Sequence, residues 1–103
     1  MKLFVDDMRN APPGAEWLLA RSVNDAIRIL ENIEIEEASL DYDMGIFSSE
    51  GGYGITLVNW MAKNNKWPTR AIYLHSSSYQ YRSEMKAIVD AHAPYLAIMR
   101  AAD

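Results

Sequence analysis

The sequence contains no cysteine among its 103 residues. That excludes a disulfide framework, a thiolate nucleophile and any thiolate metal site. It also lacks an apolar run long enough to span a membrane or serve as a signal peptide, because the initial MKLFV gives way at once to acid. A cytoplasmic protein with no membrane partner is expected. Basic residues are few, ten Lys and Arg against fourteen Asp and Glu, and they are scattered through a chain of formal net charge -4. Extended DNA binding is therefore excluded, while a phosphate-containing small molecule or a nucleic-acid end stays open if a cation offsets the acids. Glycine and proline are scarce as well, and no linker, repeat or low-complexity tract interrupts the chain. Residues 1–103 read as a single domain.

Half of the residues are hydrophobic, enough for a packed core. Their spacing predicts short strands alternating with helices. Lys2 to Val5, Trp17 to Ala20, Ala38 to Asp41, Arg70 to His75 and Tyr95 to Met99 read as strands. Between them, Ser22 with Asp25 three places on resembles a capping box and opens a helix carrying Ala26, Ile27, Leu30 and Ile33. A second helix is predicted from Ile55 to Asn64, stopped by NNKWP, and a third from Glu84 to His92. The predicted class is α/β: a three-layer sandwich with a five-stranded, mostly parallel sheet covered on both faces.

In such sheets ligands bind beyond the carboxyl ends of the strands. Three strands here end in polar or ionisable groups: Asp6 and Asp7, Asp41 and Asp43, and His75 followed by Ser76, Ser77 and Ser78. Carboxylates gathered on one rim repel unless they share a proton or a cation. Oxygen ligands without thiols suit a hard ion, magnesium or manganese. Each group also has a plainer reading: acidic pairs cap turns, DxD opens loops, and a histidine at a strand end often bonds only backbone. His75 has an ordinary pKa suited to proton transfer. Arg9 is placed either to grip a phosphate or to pair with Asp6, Asp7 or Asp43. His92 reads as a packing or helix-end residue. Gly51, Gly52 and Gly54 precede a helix as phosphate loops do, but no Walker lysine follows. The tryptophans and tyrosines suit packing, with base stacking as the alternative.

The order of acidic pair, acidic strand end and polar fourth strand end resembles the response-regulator receiver fold, which implies a receiver or flavodoxin-like strand order. By that resemblance Asp6 and Asp7 are the acidic pair, Asp41 is the phosphoacceptor position, and His75 or Ser76 takes the place of the hydroxyl residue. Two departures stand out: the chain reads AIMRAAD where a receiver has its lysine, and the final helix is truncated.

FVDDMRNAPPG, SLDYDMG, GYGITLVNWM, and LHSSS with Met85 are more similar still to the cyclic-phosphate processing receiver domain family. Here Tyr42 replaces a histidine, and SSYQYR replaces the family's asparagine, proline and glycine in a loop expected to shape the substrate pocket. The resemblance implies metal-dependent processing of a phosphodiester or cyclic phosphate. In it Asp6, Asp7, Asp41 and Asp43 hold the ion, His75, Asp41 and Asp7 act in catalysis, and Arg9, Ser76 and Ser77 hold substrate. A second expectation is an inactive receiver-like module that docks on a protein partner or senses a nucleotide. A third is a phosphoacceptor at Asp41.

Overall fold

The computed structural model describes residues 1–14 and 16–100. In chain order the elements are β1 (Lys2–Val5), β2 (Trp17–Ala20), α1 (Val23–Asn32), β3 (Glu37–Leu40), a 3-10 helix (Gly45–Ser49), α2 (Gly54–Asn64), β4 (Ala71–Leu74), α3 (Tyr79–His92) and β5 (Ile98–Met99). The strands form one sheet in the order β2-β1-β3-β4-β5, and every neighbouring pair is parallel. The direction of winding reverses between β1 and β3. This is the switch point at which an open parallel sheet leaves a crevice.

Side-chain alternation along the strands decides where the core sits. Leu3, Val5, Ala38, Leu40, Ile72 and Leu74 form one cluster with Val23, Ala26 and Leu30 of α1, Leu57, Val58 and Met61 of α2, and Met85 and Val89 of α3. All three helices therefore share one face, as right-handed crossovers running from β2 through β5 require. The other strand face carries Lys2, Phe4, Trp17, Glu37, Ser39 and Tyr73. Among the described residues no helix joins β1 to β2. The third layer on that side is a loop, whose Arg9 to Pro13 face Phe4, Trp17 and Ser39 across a cleft. Among the described residues no helix follows β5, and none is long and apolar enough to cross a membrane.

Local chemistry explains most boundaries. Ser22 caps α1 by accepting the Asp25 N–H at 3.1 Å, and Asn65, in the left-handed region at φ 50°, ends α2. Two segments differ from expectation. The third helix begins at Tyr79 rather than Glu84, because Ser78 accepts the Tyr81 N–H and caps the residues expected to form a loop. The last strand shrinks to Ile98–Met99, since only these residues pair with Tyr73 and Leu74. The end of AIMRAAD, residues 101–103, lies outside the described residues.

Gly54 shows how tightly α2 is set against the end of β3. Its N–H donates to the Tyr42 carbonyl at 2.8 Å, and a Cβ in its place would stand 2.0 Å from the Asp41 carbonyl oxygen. Gly54→Ala forces α2 off the sheet and destabilises the protein by about 1–3 kcal/mol, as overpacked cores do. A thermal midpoint equal to wild type would show that the approach is slack. Gly51, in the glycine-rich stretch before α2, packs against Asn24, which a Cβ there would meet at 2.5 Å.

Candidate functional site

The stretch FVDD ends β1 in two aspartates with different surroundings. Asp6, 1% exposed, turns toward the helix-free face. Its Oδ1 accepts the N–H groups of Met8 at 2.9 Å and Arg9 at 2.8 Å, so the carboxylate folds the chain back at the strand end. Its Oδ2 lies 2.9 Å from His75 Nε2. Burial alone would raise the Asp6 carboxyl, but the bonds from His75, Arg9 and Met8 outweigh it and hold the group well below the ordinary carboxylate range. Arg21 secures the same turn, with Nη1 on the carbonyls of Asp6 and Arg9 and Nη2 on Asn10 Oδ1.

His75 reaches Asp6 because it follows Leu74, the last residue of β4, and so falls on the helix-free face. It is 6% exposed. Its Nδ1 is 2.7 Å from Ser39 Oγ on the neighbouring β3, and its ring stacks on Phe4 at 4.7 Å and 8°. Both ring nitrogens and one ring face are thus fixed by β1 and β3. Neither Ser39 nor Phe4 stood out in the sequence, where each reads as an ordinary strand residue. Only the register, pairing Ser39 with Phe4 and with Tyr73, brings them beside the imidazole.

Asp41 joins this pair. One ligand atom from each of Asp6, Asp41 and His75 lies within 4.8 Å of the others. Asp41 Oδ1 accepts the Tyr42 N–H at 2.8 Å. Burial first, then the charge of Asp6, raises the Asp41 carboxyl. Asp7 is raised as well, by burial and then by the charge of Asp6, with a further contribution from Asp43. It stands beside Gly45, where a Cβ would meet its Oδ2 at 2.4 Å; the backbone there has φ +52°. Asp43 is exposed and accepts the Gly45 N–H at 2.9 Å. The carboxyl ends of β1 and β3 therefore carry negative charge held at a cost, and Asp6, Asp41 and His75 together could hold a metal ion.

The other expected residues lie around this group in varied ways. Arg9 Nη1 donates to the His75 carbonyl at 3.4 Å. Among the described residues it forms no ion pair with Asp6, Asp7 or Asp43. Ser76 is buried, and its Oγ accepts the Ser78 N–H at 3.3 Å. Ser77 is exposed. Tyr42 stacks on Tyr81, at 3.9 Å, and on Tyr53, at 5.6 Å. SSYQYR thus supplies a helix cap, an aromatic neighbour for Tyr42, and Arg82, which donates to the Ser76 carbonyl.

A cleft of about 350 Å³ opens on the helix-free face beside His75. Phe4, Trp17, Ser39 and His75 lie on its sheet side, and Arg9 to Pro13, with Arg100, enclose it. A larger hollow of about 480 Å³ sits at the far end of the sheet, between the ends of α1 and α2, and is lined by none of the acidic, histidine, arginine or serine residues of the rim.

No curated protein matches the sequence. The family model described as the cyclic-phosphate processing receiver domain matches residues 1–91, which takes in β1 through nearly all of α3. The chain belongs to the cyclic-phosphate processing receiver domain family.

Proposed function

We propose that this protein processes a phosphodiester or cyclic phosphate, on a nucleotide or an RNA end, by hydrolysis with a divalent cation, magnesium or manganese. The observation that carries the reading is the meeting of Asp6, Asp41 and His75 at the carboxyl ends of β1, β3 and β4, their ligand atoms within 4.8 Å of one another, in a chain of this family. Asp6, Asp7, Asp41 and Asp43 are the residues that would hold the ion. When bound, such an ion would offset charge on the phosphoryl oxygens and activate water. His75 carries a proton to the leaving oxygen. Asp6 and Ser39 keep its ring in one orientation meanwhile. Arg9, whose guanidinium already lies at the His75 carbonyl, grips non-bridging oxygens, aided by the hydroxyls of Ser76 and Ser77.

The test is turnover of a nucleoside cyclic phosphate with and without magnesium or manganese. His75→Ala and Asp7→Asn should each lower turnover by at least roughly 10²-fold, the scale of a lost general acid or base. Unchanged turnover in both would remove this site from consideration. The second reading, a module that docks on a protein partner, draws on the exposed Tyr53, Tyr79 and Tyr81 beside the rim. Absence of turnover with every cyclic phosphate, alongside intact metal binding, would favour it.

A further inference from the structure

Ser39, His75 and Asp6 form a continuous hydrogen-bonded chain that the metal reading does not use in full. Ser39 Oγ lies 2.7 Å from His75 Nδ1, and His75 Nε2 lies 2.9 Å from Asp6 Oδ2. All three are buried, at 4%, 6% and 1% exposure. In the neutral tautomer with its proton on Nε2, His75 donates to Asp6, whose other oxygen already accepts two backbone N–H groups, and Nδ1 accepts from the serine hydroxyl. This is the order of hydroxyl, imidazole and orienting carboxylate that activates a serine elsewhere. Ser39 and His75 also border the 350 Å³ cleft, with Arg9 and Arg100 in its wall.

We infer that Ser39 is a nucleophile, activated through His75 and Asp6, that attacks a phosphorus ester seated in the cleft between Arg9 and Arg100. Its oxygen forms the new bond to phosphorus. The ester P–O bond breaks and keeps its electron pair on the leaving oxygen. The serine proton passes to His75 Nδ1 and from there to that oxygen, leaving a phosphoseryl ester for water to hydrolyse. The two guanidiniums face the charge gathering on the non-bridging oxygens. The inference rests on the proposed phosphoester substrate only for the choice of electrophile.

The experiment uses a fluorophosphonate, which reports the nucleophile without needing the natural substrate. Attack by Ser39 expels fluoride with the electrons of the P–F bond and gives His75 the proton. Wild-type protein should gain the mass of one adduct, mapped by peptide sequencing to Ser39. Ser39→Ala should gain none while retaining the wild-type circular dichroism and a cooperative thermal transition. His75→Asn, checked for folding in the same way, should label at least roughly 10²-fold more slowly. No wild-type adduct after hours at millimolar probe would overturn the inference. So would an adduct on Ser76, Ser77, Ser78 or a tyrosine instead, or labelling of Ser39 at an undiminished rate in folded His75→Asn. Metal binding is read separately: a magnesium-dependent midpoint rise without labelling sinks this inference alone, and labelling without any metal response sinks the metal reading alone.

Discussion

Asp6→Ala lowers the thermal unfolding midpoint by roughly 10–30 °C, the consequence of about 2–4 kcal/mol lost when the acceptor of several buried hydrogen bonds is removed from a domain of this size. The carboxylate does more than meet His75. It accepts the N–H groups of Met8 and Arg9, which are left without that acceptor once it is gone, and hydrogen bonds to a charged group are the strong ones. Asp6→Asn keeps one oxygen to accept and should lose less. The pH dependence follows from the direction of the Asp6 shift. Its folded pKa lies below its unfolded one, so the stability it contributes is complete above about pH 4 and disappears as the pH falls further. A midpoint for Asp6→Ala within a few degrees of wild type would show that the turn is held by Arg21 instead.

How much of this was visible in the sequence depends on whether the signal was local. The capping pattern of Ser22 and Asp25 and the apolar spacing after it lie in one segment, and α1 appears where they place it. The acidic strand ends were likewise legible, because a run such as FVDD is unusual whatever its neighbours are. The α3 start was missed because tyrosines and serines are weak helix formers. What holds that turn is the Ser78 cap and the packing of Tyr81 on Tyr42, which comes from the other side of the rim. Ser39 was missed for a deeper reason. Its neighbours in space, Phe4 and His75, come from different strands, so its role exists only through strand register. The loop-built third layer was likewise hidden, since strand alternation shows that a face is half-buried but not what covers it.

Asp41→Asn should do the reverse of Asp6→Ala and raise the midpoint of the metal-free protein. The folded pKa of Asp41 is raised, by burial and then by the charge of Asp6, so its ionised form opposes folding at neutral pH. Asparagine keeps an oxygen to accept the Tyr42 N–H and discards the charge. For the same reason, wild-type metal-free protein gains stability as the pH falls from neutrality toward about 4, where the unfolded carboxyls begin to protonate, and the gain shrinks in Asp41→Asn. Below that range the Asp6 contribution takes over with the opposite sign. Adding magnesium or manganese turns the comparison around. At a hundredfold excess over its dissociation constant, a native-state ligand stabilises wild type by about 2.7 kcal/mol, or roughly 10–20 °C for a domain of this size. Asp41→Asn should show little of that rise, because the charge that made the apo fold uneasy is the one the cation would use. Differential scanning calorimetry of both proteins, from pH 4 to 8 with and without metal, reads all of these effects. A metal-free Asp41→Asn less stable than wild type would mean that the rim is already satisfied by its hydrogen bonds. A metal-induced rise of equal size in both proteins would place the cation away from Asp41.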